Sequence, residues 1–188
     1  MVRWEPGAQE RLQAAALDLY AARGFEQTTA ADVAQSVGLT ERTFFRYFAD
    51  KREVLFAGQE HFQQVFLDGV AAAPDDAAPL EVVAFALRAA TAFFPDERRG
   101  HSRVRHSIIS ANPGLQEREL LKMATLSGAI AGALRGRGVS EPQAVLAAET
   151  GVTVFTVSYQ RWLAPDEGRP LADVQAATFE DLRALAHA

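Results

Sequence analysis

A chain of 188 residues, 48% hydrophobic and 23% charged, falls in the globular class and is long enough for one sizeable domain, or a small one attached to a larger. It holds no cysteine, which excludes disulfides, thiolate metal sites and cysteine nucleophiles. The formal net charge of -5 argues against indiscriminate coating of nucleic acid, and residues 1 to 55 carry seven Arg and Lys against eight Asp and Glu, so any DNA contact must be a focused patch.

The opening MVRWEPGAQERLQ lacks the apolar core of a signal peptide, and no apolar run reaches the roughly 18 residues that a membrane span needs. The expected setting is the cytoplasm, with no membrane partner. Apolar residues recur three and four apart along most of the chain, without sustained alternation, so the expected fold is all-α with about nine helices. In AQERLQAAALDLYAARGF, Leu12, Ala15, Ala16, Leu19 and Tyr20 form one face, and Gly24 is the stop. Capping boxes are expected at Thr29 with Asp32, Asp50 with Glu53 and Ser140 with Gln143.

Residues 29 to 48 split into two short helices. Thr29 caps the first, which runs to Val37, and Gly38 supplies the left-handed turn. Thr40 caps the second by accepting from the N–H of Thr43. Val33, Val37, Leu39, Phe44 and Phe48 supply the apolar wedge, since positions 44 and 48 lie one above the other. Glu41, Arg42, Thr43, Phe45, Arg46 and Tyr47 are left facing out, with Lys51 just beyond.

That surface suits a helix in the major groove, where an arginine fork matches guanine O6 and N7. Thr29, the nearby helix N–H groups and Lys51 would then anchor phosphates. The bland alternative for Arg42 and Arg46 is a solvated helix face. Glu41 either accepts from a cytosine amine or simply complements the helix dipole.

From residue 50 the sequence predicts a long helix opened by Asp50 and carrying Val54, Leu55, Phe62, Val65 and Phe66. AAAPDDAAP, residues 71 to 79, breaks it. The next helix carries Leu80, Val83, Leu87 and Phe94 and ends before Pro95. A shorter Arg-rich helix over 97 to 111 and a longer one opened by Pro113 come next. GRGVSEP is a turn, and two last helices cover about 143 to 163 and 170 to 186. The small and β-branched residues of AAETGVTVFTV permit close helix approach, so these two are the candidates for a self-complementary four-helix homodimer contact, the alternative being an intrachain core.

The run from Gly24 to Leu55, with GFEQTT, DVAQSVGLTERTFFRYF and DKREVL, resembles the DNA-binding domain of TetR-family bacterial transcriptional regulators. The resemblance implies a three-helix helix-turn-helix domain, here 1–49, followed by a larger helical domain, 50–188, that dimerises and encloses a ligand cavity. It implies DNA contacts by Thr29, Thr43, Phe45, Tyr47 and Lys51. Position 45 departs from the family's common tyrosine, so its contact must be apolar. RVRHSIISANPGLQERELLKMATLSGAIAGAL with the later QRWL is similar to a C-terminal domain found in a subset of these regulators, including those near mycofactocin-type gene clusters.

Phe62, Phe66, Phe94, Met123, Phe155, Tyr159 and Trp162 are candidates to line such a cavity, most of the large domain's aromatics being ordinary core. His101, Arg103, Arg105 and His106 either hold an anionic ligand or form the polar side of a surface helix; Arg103 and His106 are carried as ligand candidates. His101 and His106 lie five apart, off one helical face, so no metal site and no cofactor are expected. There is no Ser, His and Asp arrangement, no phosphate loop and no HExxH, which weighs against an enzyme. A helical protein-interaction module is the other rival. The expected function is a dimeric, ligand-responsive regulator, a repressor, on a palindromic double-stranded DNA operator, answering to a small-molecule effector.

Overall fold

Local signals and burial together divide residues 7–186, the part that the computed structural model describes, into nine α-helices and three short 3-10 turns, with no strand among them. In chain order these are α1 (Ala8–Arg23), α2 (Ala30–Ser36), α3 (Glu41–Tyr47), α4 (Gln59–Ala71), α5 (Pro79–Ala90), α6 (Arg99–Ser110), α7 (Pro113–Gly136), α8 (Glu141–Leu163) and α9 (Leu171–Ala186). No described helix is long and apolar enough to cross a membrane. The chain packs as two units: residues up to Gly58 together with Arg103–Arg118, and Gln59–Ser102 together with the residues from Glu119 onward. A single division after residue 49 does not express this grouping, because the chain returns to the first unit at the end of α6 and the start of α7.

In the first unit, α1 buries Leu12, Ala16, Leu17 and Tyr20 and stops at Gly24, whose φ of 90 suits a residue without Cβ. The core continues through Phe25, Val33, Phe44 and Phe48, then Val54, Leu55 and Phe56, and is completed by Ile108, Ile109 and Leu115. Two arginines fasten that returning segment. Arg105 Nε donates to Leu55 O at 2.7 Å with its guanidinium 5.2 Å over the Phe56 ring, and Arg118 pairs with Glu53 at 2.6 Å.

The expected long helix from Asp50 does not form. Asp50 accepts from the N–H groups of Arg52 and Glu53 at 2.7 and 3.1 Å, but the next residues make only a 3-10 turn, Glu53–Phe56. The chain then breaks at Gly58, with φ at 86, before α4 begins. Val54, Leu55 and Phe56 are all buried, and the left-handed backbone of Gly58 separates their turn from α4.

In the second unit α4 and α5 meet backbone to backbone: a Cβ at Gly69 would lie 2.6 Å from Ala86 Cα and 2.9 Å from Phe85 O. Gly151 likewise lets α8 approach α5, since a Cβ there would lie 2.5 Å from Val83 Cγ1. α9 packs on α8, and Leu171 and Phe179 join the core. α5 ends at Ala90, earlier than expected, in a 3-10 turn Thr91–Phe93. Phe94, before Pro95, is held out of the helical region at φ -123, ψ 66, as the proline ring demands, and this turns both Phe93 and Phe94 onto the core. The expected cap at Ser140 also differs. Its hydroxyl donates to the Gln143 side chain at 3.0 Å and makes no bond to the helix backbone.

Candidate nucleic-acid interface

α2, the turn and α3 are shaped by short-range hydrogen bonds. Thr29 Oγ1 accepts from Asp32 N at 3.1 Å while Thr29 N and Oγ1 donate to Asp32 Oδ2 at 2.8 and 2.6 Å, a reciprocal capping box. Those donors, the Thr29 hydroxyl first and its N–H second, hold the Asp32 carboxyl below the usual aspartate range. At the turn Gly38 takes φ 73, and Leu39 N donates to Ala34 O at 2.9 Å. Thr40 Oγ1 then accepts from Thr43 N at 3.2 Å and opens α3.

α3 has two chemically distinct sides. Phe44 and Phe48 are buried in the first unit's core, 5.2 Å apart between ring centroids. Glu41, Arg42, Phe45 and Arg46 are exposed, Phe45 at 50% despite its size, and Thr43 and Tyr47 are half-buried. Among the described residues Arg42 makes no ion pair, and Arg46 donates only to the Tyr47 hydroxyl at 3.2 Å, with its guanidinium 5.1 Å over that ring. Two guanidiniums four residues apart thus stand on one outer face, with nothing neutralising them. Phe45 packs edge-on against Phe44 and is the apolar member of the face.

Lys51 is more occupied than its sequence position suggests. Its ammonium donates to Phe25 O at 2.9 Å and Thr28 O at 3.3 Å and sits 4.2 Å over the Phe25 ring. Tyr20 donates its hydroxyl to Lys51 O at 2.8 Å, and burial first, then the charge of Asp50, pushes that phenol's pKa upward. Tyr20, Arg105 and Arg118 tie this unit together, and local spacing carried no signal of these bonds, because their partners lie far off in the chain.

The ligand candidates divide. Phe62, Phe66, Phe94, Phe155, Tyr159 and Trp162 converge in one aromatic cluster in the second unit, with Phe62 5.0 Å from Phe66 and 5.3 Å from Phe155, and Phe94 5.1 Å from Tyr159. Trp162 lies 5.9 Å from Tyr159, and Met123 packs half-buried against the second unit's core. Arg103 and His106 lie on the part of α6 that groups with the first unit. The polar groups at the cluster's end are instead Asp96 and Arg99, which no pattern in the sequence marked. Asp96 Oδ1 accepts from Trp162 Nε1 at 3.1 Å and Arg99 Nη2 at 2.6 Å, Arg99 first, and together they lower its pKa. The Arg99 guanidinium lies 5.0 Å from the Trp162 ring and also donates to Glu167 O at 2.6 Å.

Two family models cover most of the chain: that of the bacterial regulatory proteins, tetR family, matches residues 12–57, and that of the MftR C-terminal domain matches residues 77–187. The chain belongs to the TetR family. Members of this family are DNA-binding transcription regulators, typically dimeric repressors with a helix-turn-helix. Over 172 residues the chain is 30% identical to a protein of Mycobacterium tuberculosis named MftR, for mycofactocin biosynthesis transcriptional regulator, with 88% of this chain and 84% of that protein aligned. It is also 30% identical over 134 residues to the HTH-type transcriptional regulator TcmR of Streptomyces glaucescens, a match spanning 69% of this chain and only 59% of TcmR. Among solved structures it shares the fold of FadR from Thermus thermophilus, a TetR-family repressor in complex with lauroyl-CoA, at 23% identity, TM-score 0.56 and 93% of each chain.

Proposed function

We propose that this TetR-family member is an effector-responsive repressor that binds a palindromic operator in the cytoplasm as a homodimer, one α3 entering each major groove. The observation that carries the reading is the outer face of α3: Arg42 and Arg46 stand unneutralised behind a side-chain-capped turn, on a helix anchored by Phe44 and Phe48. In this reading the two arginines pair with guanine edges, Phe45 meets a thymine methyl, and Glu41 takes a cytosine amine. Thr43, Tyr47, Thr29 and the remaining donor of Lys51 contact phosphates.

Pairing of two copies is supported by α8, which leaves Val145, Leu146 and Val157 exposed at 40%, 67% and 41% on a helix otherwise built for close approach. Leu146 and Val157, eleven residues apart, lie on one side of the helix, and such exposed apolar residues suit a self-complementary contact through α8 and α9. The effector would enter the aromatic cluster of the second unit; the fold shared with a lauroyl-CoA-binding repressor supports an apolar molecule there. Such a molecule lowers operator affinity only by the difference in its own affinity for the two conformational states.

Selection from a random-sequence duplex library tests this. The expected result is enrichment of an inverted repeat bound by a species of twice the chain mass; enrichment of a single unrepeated motif, or of nothing, would refute it.

A further inference from the structure

Resting on the reading of the second unit as an effector-binding body, we infer that Gln175 is the polar end of its site, and that the site takes an uncharged, otherwise apolar molecule bearing an amide or lactam group. Gln175 is 4% exposed on α9, four residues after Leu171 and four before Phe179, so the three share one stripe. Leu171 and Phe179 belong to the same apolar core as Phe155, Tyr159 and Trp162. Neither Oε1 nor Nε2 of Gln175 has a hydrogen-bond partner among the described residues, and it is the buried side chain there with both polar atoms unpartnered.

Other polar groups of α8 and α9 are already committed. Thr178 donates to Val174 O at 2.8 Å and takes Arg161 Nη1 at 3.2 Å, Ser158 donates to Val154 O, and Trp162 donates to Asp96. A buried amide without partners costs more than an ordinary hydrogen bond returns, and a leucine would fill the same place without that cost. Such an orphan in a core calls for a partner supplied from outside the chain.

The chemistry of that partner is set by the two atoms. A carboxamide offers one acceptor beside two donors, so its complement is a group with an adjacent donor and acceptor, as in a primary amide or a lactam. A carboxylate offers acceptors alone and brings a charge into the core. Arg99 and Arg161 are paired with Asp96 and Asp181, and Arg99 Nε is a second buried donor without a partner. The ring cluster then receives the apolar remainder.

The test uses the full chain with octanamide and octanoate at pH 7, read by calorimetric titration and by thermal melting. Wild type is expected to bind octanamide about ten-fold or more tightly than octanoate, the difference one charge-compatible hydrogen-bonded pair makes. Gln175→Met and Gln175→Leu are expected to lose octanamide affinity by about the same factor while melting no lower than wild type, because they remove an unpaired amide. Equal octanamide binding by the variants, no octanamide binding by wild type, or a marked fall in melting temperature in both variants would each overturn the assignment. DNA binding without octanamide is measured alongside and is expected to be the same in wild type and Gln175→Met. A wild type that binds no duplex removes the regulator reading without deciding the octanamide result.

Discussion

Thr29 and Asp32 satisfy one another across the first turn of α2, and the direction of the Asp32 shift makes this pair sensitive to pH. Its folded pKa lies below its unfolded one, so the pair contributes fully above the ordinary aspartate range and loses its contribution as pH falls through the depressed folded value. Thr29→Val deletes the stronger donor, and an NMR titration of the Asp32 carboxyl is expected to show its pKa moving back up toward the ordinary range; an unmoved value would mean the shift has another source. Thr40→Ala removes the cap of α3 and is expected to cost about 1 kcal/mol in chemical denaturation. At Lys51 the same side chain ties two backbone carbonyls and is the proposed phosphate contact. Lys51→Ala is expected both to lower the melting temperature, through the lost bonds to Phe25 O and Thr28 O, and to weaken binding to all duplexes alike, with a salt slope shallower by about one. A salt slope identical to wild type would leave it the carbonyl ties alone. Sequence showed Lys51's likeness to a phosphate anchor but not its carbonyl ties, which cross more than twenty residues.

Among the elements, α1 to α3 were legible because each is specified locally: a glycine stop, two hydroxyl caps, a left-handed glycine and an apolar pair four apart. The stretch 50 to 58 was not. Its side chains suit a helix, and what holds it otherwise is tertiary: Val54, Leu55 and Phe56 are buried in the first unit and Glu53 pairs with Arg118, sixty-five residues on. The early end of α5 has the same kind of cause, since Phe93 and Phe94 are drawn onto a core assembled from α4 and α8. Close helix packing gives a sharp expectation here. Gly69→Ala places a methyl within 2.6 Å of Ala86 Cα, where backbone rather than a yielding side chain opposes it, and is expected to destabilise by about 1–3 kcal/mol in a denaturant titration. A neutral result would mean that α4 and α5 separate easily.

For the whole molecule, the family was legible from some thirty residues of the helix-turn-helix, whereas the effector site was not, because core and pocket use the same aromatic residues and only the fold tells which of them meet. Arg103 and His106 illustrate this: their charge allowed either an anion site or the polar side of a surface helix, and the fold groups them with the first unit. If α8 carries the pairing surface, Leu146→Asp with Val157→Asp is expected to give a monomer in sedimentation with operator binding weakened, since two half-sites no longer share one protein. A variant that remains dimeric moves the interface elsewhere. The proposed docking of α3 is tested most directly by titrating the selected inverted repeat, and a scrambled duplex of equal length, with wild type, Arg42→Ala and Arg46→Ala at one fixed salt concentration. Each substitution is expected to cost about 1–3 kcal/mol on the repeat and far less on the scrambled duplex; variants that bind the repeat as wild type does would contradict the placing of α3 in the groove.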